Sequence, residues 1–159
     1  MPANASRSEQ TYVESLNLLA ANELALESLY REYARQHADK AAFWQEFAAD
    51  EHRHATWVTK LASEVRQDAD PQGRFKIEAI RTFTQYVNDQ EITARRGEVT
   101  FSKALIIASY IEDALIERRF FEQLPMDDSR LKQTLTSLQR ATEKHSKMIK
   151  DARTQLETH

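Results

Sequence analysis

Acidic and histidine side chains interrupt the apolar stripes of four segments in this 159-residue chain. Glu23 lies among the leucines of the first segment, and Glu51 and His54 continue the stripe of the second. Glu112 and His145 take the same kind of position in the third and fourth. Carboxylates buried together repel one another unless protons or a cation neutralise them, and their oxygens, like imidazole nitrogens, suit iron, manganese or zinc. The pattern therefore predicts a metal site, with Glu51 and His54 one turn apart on one helix face.

Long helices are the elements that must position these groups. The chain has only two Gly and three Pro, too few turn residues for a sheet-rich fold. Apolar residues at three- and four-residue spacing predict helices at about 8–40, 40–67, 100–124 and 129–157, and a shorter helix within 75–90. The polar residues 88–97 are interpreted as a connection. These features predict an all-α fold and a single domain over residues 1–159: a ferritin-like four-helix bundle with a long crossover that carries the short extra helix.

Composition excludes several classes of function. The chain has no cysteine, so disulfides, thiolate nucleophiles and Cys-based metal sites are excluded. The net charge of −3, with acids and bases mixed along the chain, argues against a nucleic-acid partner. No stretch approaches the roughly 18 apolar residues of a membrane span, so no membrane partner is expected. We expect a cytoplasmic protein.

The segments around the candidate ligands resemble the ferritin-like superfamily and, within it, the rubrerythrin-like diiron-carboxylate proteins. The resemblance covers the four long helices. It is carried by four stretches, Asn22-Glu-Leu-Ala-Leu-Glu-Ser-Leu-Tyr30, Ala49-Asp-Glu-His-Arg-His-Ala55, Ala104-Leu-Ile-Ile-Ala-Ser-Tyr-Ile-Glu112 and Thr142-Glu-Lys-His145. It implies a centre of two iron ions held by residues at five of the family's six ligand positions, namely Glu23, Glu51, His54, Glu112 and His145. No Cys-x-x-Cys pair is present, so the resemblance does not extend to a rubredoxin-type iron domain.

The fourth segment departs from this pattern. Aligning the apolar stripes of the second and fourth segments pairs His54 with His145 and leaves Thr142 opposite Glu51, where a carboxylate is expected. Shifting the alignment by one residue makes Glu143 the ligand instead, but the apolar match worsens. Three carboxylates would leave about one positive charge uncompensated beside two divalent ions. A two-iron centre, a site for one ion or another divalent metal, and a vestigial site therefore all stay open.

The resemblance implies redox chemistry with dioxygen or peroxide, or iron oxidation, by an oxidoreductase of peroxidase or ferroxidase type. The alternative is a non-catalytic helical bundle whose vestigial metal site serves iron binding or protein interaction. Dioxygen or peroxide would be the small-molecule partner, and a homo-oligomer is compatible with this interpretation. The sequence assigns no catalytic residue beyond the ligands.

Overall fold

The computed structural model describes residues 3–64, 77–117 and 129–158. Within these ranges the chain forms helices and no β-strand, which confirms the predicted all-α fold. The helices are α1 (Ala3–Gln36), α2 (Ala41–Glu64), α3 (Ile77–Arg95), α4 (Phe101–Glu117) and α5 (Ser129–Glu157). A short 3₁₀ turn at Ala38–Lys40 joins α1 to α2.

The helices pack in pairs around one core. Helix α1 lies along α2 and also along α3, α4 lies along α5, and α2 contacts α5. Aromatic side chains fill the core between α1 and α2, with Tyr30, Tyr33, Trp44 and Phe47 at most 1% exposed. The ring of Tyr30 stacks on that of Trp44, with centroids 5.6 Å apart. Fully burying each large apolar side chain contributes about 1.5–3 kcal/mol to the free energy of folding. The aromatic side chains therefore help to offset the cost of burying polar groups beside them.

Helix α3 is longer than the sequence predicts. The interpretation of residues 88–97 as a connection is wrong, because α3 continues to Arg95. Two groups in its C-terminal half bond to α1: Ser28 donates to Glu91 Oε1 at 2.6 Å, and the Gln36 side-chain amide donates to the Ala94 carbonyl. The helix gives way to a turn at Gly97, whose φ of 76° favours glycine.

Several sequence-based boundaries can be compared with the structure. Helix α4 begins close to the predicted residue 100, where the Thr100 hydroxyl accepts a 3.1 Å hydrogen bond from the Lys103 amide and caps the helix. The predicted ends of the second and third long helices, at 67 and 124, lie outside the described residues. No helix in the described ranges is long and apolar enough to cross a membrane.

The burial of α3 predicts that it is integral to the fold. Phe83 on α3 is 2% exposed, whereas its neighbour Thr82 is exposed. Phe83→Ala should lower the free energy of unfolding by about 3–5 kcal/mol, because it removes a buried ring and leaves a cavity. Thr82→Ala should change it by less than about 0.5 kcal/mol. Urea denaturation followed by circular dichroism measures both, and equal stabilities of the two variants would contradict the packing of α3.

Candidate metal centre

Five buried side chains from four helices meet at one point of the bundle. They are Glu23 from α1, Glu51 and His54 from α2, Glu112 from α4 and His145 from α5, none more than 3% exposed. Their ligand atoms form two groups of three, within each of which the atoms lie within 4.8 Å of one another. One group holds Glu23, Glu51 and His54, and the other holds Glu51, Glu112 and His145. Glu51 belongs to both groups, which makes it the centre of the cluster.

The two oxygens of Glu51 face different histidines. Its Oε2 lies 3.1 Å from Nδ1 of His54, and its Oε1 lies 3.1 Å from Nδ1 of His145. Each histidine nitrogen also has a second carboxylate 3.6 Å away, Glu23 for His54 and Glu112 for His145. Helical spacing produces the first contact, because residues three apart lie on one face. The second contact depends on α5 packing against α2.

A second layer of contacts orients the ligands. Nε2 of His145 donates to Asp50 Oδ2 at 3.0 Å, and Asp50 is ion-paired with Arg53. The Tyr30 hydroxyl donates to Glu112 Oε1 at 2.6 Å. A carboxylate on the far nitrogen of a ligating histidine fixes which nitrogen carries the proton and leaves the other for the metal. Sequence reasoning missed Asp50, because 95 residues separate it from His145 and no spacing rule connects them.

One buried carboxylate oxygen of the cluster, Oε2 of Glu112, lacks a hydrogen-bond partner. Nδ1 of His145 lies 3.1 Å from Oε1 of Glu51 but makes no well-aligned hydrogen bond. Leaving a buried polar atom unpaired costs about 1–3 kcal/mol, so native proteins rarely do so without a reason. A metal ion held by Glu112 and His145 would use both atoms as ligands. The donor set, three carboxylates and two imidazoles, also suits iron, and the residues therefore fit a metal.

Protons can neutralise the cluster when no metal is bound. Burial, together with the charge of Glu51, raises the pKa of Glu23 well above its usual range, and burial also raises the pKa of Glu112. Burial alone would raise the pKa of Glu51 as well, but its contacts with Glu23, His145 and His54 lower it. Burial opposes the charged imidazoles, yet the neighbouring carboxylates raise the pKa of His54 to about 9 and that of His145 to about 10. Metal ions must therefore displace protons to bind.

The structure decides which register α5 adopts. Thr142 is 4% exposed and faces inward, and its hydroxyl donates to the Leu138 carbonyl at 2.9 Å. Glu143, the other candidate, is exposed and lies outside the cluster, where it accepts a hydrogen bond from Gln139. It lines a surface groove between α4 and α5 together with Asp113. The cluster thus contains five ionisable side chains, and the buried residue one turn before His145 on α5 is a threonine.

Glu23, and not Glu27, lies on the face of α1 that points into the cluster. Glu27 follows Glu23 by one turn and is 8% exposed, but its carboxylate accepts hydrogen bonds from Arg31 and contacts His52 at 3.0 Å. Both partners are largely exposed. Glu27 is therefore engaged at the surface of the bundle and is absent from both groups of candidate ligands.

Comparison with known proteins is consistent with this geometry. The family model described as Rubrerythrin matches residues 14–153, a range that contains all five clustered side chains. No curated protein and no solved structure matches the chain. The match confirms the resemblance that the sequence motifs indicate, and its length covers nearly all of the described helices.

The pKa shifts predict how the stability of the metal-free protein depends on pH. In the folded chain both histidines have a pKa above the value of about 6.5 that is expected after unfolding. Their protonation therefore stabilises the folded state, and this contribution is complete below about pH 6.5. That contribution is lost as the pH rises through 9 to 10. The raised pKa values of Glu23 and Glu112 act in the same direction. The melting temperature of chelator-treated protein should therefore fall between pH 6.5 and 10.

Circular dichroism at a series of pH values measures this fall. A His54→Gln/His145→Gln variant is the matched control and should show a flatter profile, because it lacks both imidazoles. A melting temperature that is constant or rises over the same range would contradict the proposed proton balance of the cluster.

Proposed function

Because this chain belongs to the rubrerythrin family, we propose that its buried cluster binds two iron ions and that the protein acts in redox chemistry with dioxygen or peroxide, or in iron oxidation. The observation that carries the proposal is the position of Glu51. Its Oε1 and Oε2 face histidines on two different helices, as expected of a carboxylate that serves two ions.

The residues divide into two sets of ligands that share Glu51. Glu23 and His54 would hold one ion with Oε2 of Glu51, and Glu112 and His145 would hold the other with Oε1. When bound, a pair of iron ions supplies electrons for the reduction of dioxygen or peroxide. The protein supplies the ligands, their orientation and the surrounding electrostatics.

Contacts beyond the ligands support this role. Asp50 accepts a hydrogen bond from Nε2 of His145, which leaves Nδ1 to act as a ligand atom toward the cluster. Tyr30 donates to Glu112 and fixes the orientation of that carboxylate. Tyr30 in turn lies against Trp44 and Phe47 in the buried aromatic core, so the ligand on α4 rests on a firm apolar support. The same apolar surroundings restrict water at the centre and strengthen its electrostatic interactions.

The size of the partner follows from burial. All five candidate ligands are at least 97% buried, which favours substrates as small as dioxygen or peroxide.

A homo-oligomer is also part of this proposal. Ile106 and Tyr110 lie one turn apart on α4, and each is at least half exposed, so a second subunit that packs there would bury apolar surface.

A second candidate function is iron binding without turnover. The observation that favours it is Thr142, which stands where a complete Glu-x-x-His pair would have its carboxylate. A centre with one ligand fewer would hold its second ion more weakly. Iron content and peroxide turnover distinguish the two functions. Both functions require bound iron, but only the redox function requires turnover.

The proposal predicts the metal content of two matched variants. Wild-type protein reconstituted with ferrous iron should contain two irons per chain. Glu51→Ala should lose nearly all bound iron, since the side chain serves both ions, whereas Glu27→Ala should keep two, because Glu27 pairs with Arg31 and His52. Elemental analysis after gel filtration measures this. Equal loss of iron in both variants would mean that the ligand face of α1 has been assigned incorrectly.

Redox function is tested separately by turnover. Iron-loaded wild-type protein given a chemical reductant should consume hydrogen peroxide catalytically, and Glu51→Ala should do so at least about 100-fold more slowly. Peroxide loss is followed by its absorbance. Protein with two irons per chain and no turnover above Glu51→Ala would favour the iron-binding function over the redox function.

A further inference from the structure

Thr142 is a buried, uncharged residue of α5. It lies one turn before His145 on the same face of α5, and it is buried to 96%. Its hydroxyl proton is committed to the Leu138 carbonyl of its own helix. Compared with a glutamate, its side chain is shorter by about the size of one carboxylate group. The site therefore lacks one anionic group of that size on the α5 side.

Charges on neighbouring groups do not compensate for this difference. Two divalent ions beside the carboxylates of Glu23, Glu51 and Glu112 leave about one net positive charge when both imidazoles are neutral. Asp50 is already balanced by its ion pair with Arg53. The Tyr30 hydroxyl donates a hydrogen bond to Glu112 Oε1 at 2.6 Å and brings no charge of its own. A net charge buried in a low-dielectric core is costly, so a further monoanion would be bound favourably.

We propose that the metal-loaded centre binds one small carboxylate anion, such as formate or acetate, on the side of Thr142. This inference rests on the proposed two-metal centre. A carboxylate matches the missing group in charge, in size and in its pair of hard oxygen donors, which suit iron and similar divalent ions. Thr142 acts in this scheme as the residue that determines specificity: its short side chain admits an external carboxylate where a glutamate would supply an internal one.

The test uses the full-length protein loaded with cobalt(II), whose absorption spectrum reports changes in coordination without redox chemistry. Sodium formate is titrated in at constant ionic strength, with sodium chloride as the control salt. Wild-type protein with two cobalt ions per chain should show a saturable spectral change that corresponds to one formate per chain. Isothermal titration calorimetry should give the same stoichiometry, and chloride should give no such change.

Three variants at one position separate the effects of charge, volume and the hydroxyl group. Thr142→Glu should keep two cobalt ions and bind formate at least about tenfold more weakly, because its own carboxylate takes the place of the anion. Thr142→Gln has nearly the same shape without the charge and should also weaken formate binding by about tenfold or more. Thr142→Val is isosteric with threonine and should bind formate as the wild type does. If Thr142→Glu does not fold, the other two variants and the wild type decide the matter.

The outcomes distinguish this inference from the proposed function. Wild-type protein with two cobalt ions and no saturable response to formate overturns the inference and leaves the two-metal centre standing. Fewer than two cobalt ions per chain overturns both. Unchanged formate binding in Thr142→Gln would show that the anion binds elsewhere, and lost binding in Thr142→Val would show that the hydroxyl is itself the ligand. Either result overturns the inference.

Discussion

Three carboxylates are buried against one another inside the bundle, where their mutual repulsion is not screened by water. Glu51 lies between Glu23 and Glu112, and all three are at most 2% exposed. Such a group is stable only when positive charge lies among the carboxylates. Two histidines provide protons for this purpose, and two metal ions would provide more charge in the same space. The alternation between protons and metal links the folding of the bundle to its proposed function.

The helices and their core satisfy this constraint in a specific way. Helices α1, α2, α4 and α5 each contribute to the cluster, so none of these four can leave the bundle without exposing part of it. The aromatic core of Tyr30, Trp44 and Phe47 offsets the cost of burying the polar groups and extends up to them: Phe47 packs against His145, with ring centroids 4.6 Å apart, and Tyr30 donates to Glu112. Binding of metal to the folded state alone adds stability by mass action. Without metal, the protonated side chains of the cluster and the apolar packing of the core stabilise the bundle.

Periodicity explains what could be predicted from the sequence. An apolar stripe with a period of 3.6 residues identifies a helix and the residues on its inner face. For this reason the long helices and all five clustered side chains could be predicted from the sequence. The C-terminal part of α3 was missed because it depends on contacts with α1: Ser28 and Gln36 lie about 60 residues from their partners, Glu91 and the Ala94 carbonyl. Asp50 was missed for the same reason. Thr142 and Glu143 differ by one residue, or about 100° of helix rotation, which only the packing of α5 decides.

This rubrerythrin-family chain has a threonine where the family motif predicts a sixth ligand, so binding of two ions depends on Glu51. The most direct test is a crystal structure of the iron-reconstituted protein, with anomalous differences measured at the iron absorption edge. We expect two anomalous peaks per chain, one beside Glu51 and His54 and the other beside Glu51 and His145. A single peak, or peaks that Glu51 does not contact, would contradict the proposed role of Glu51.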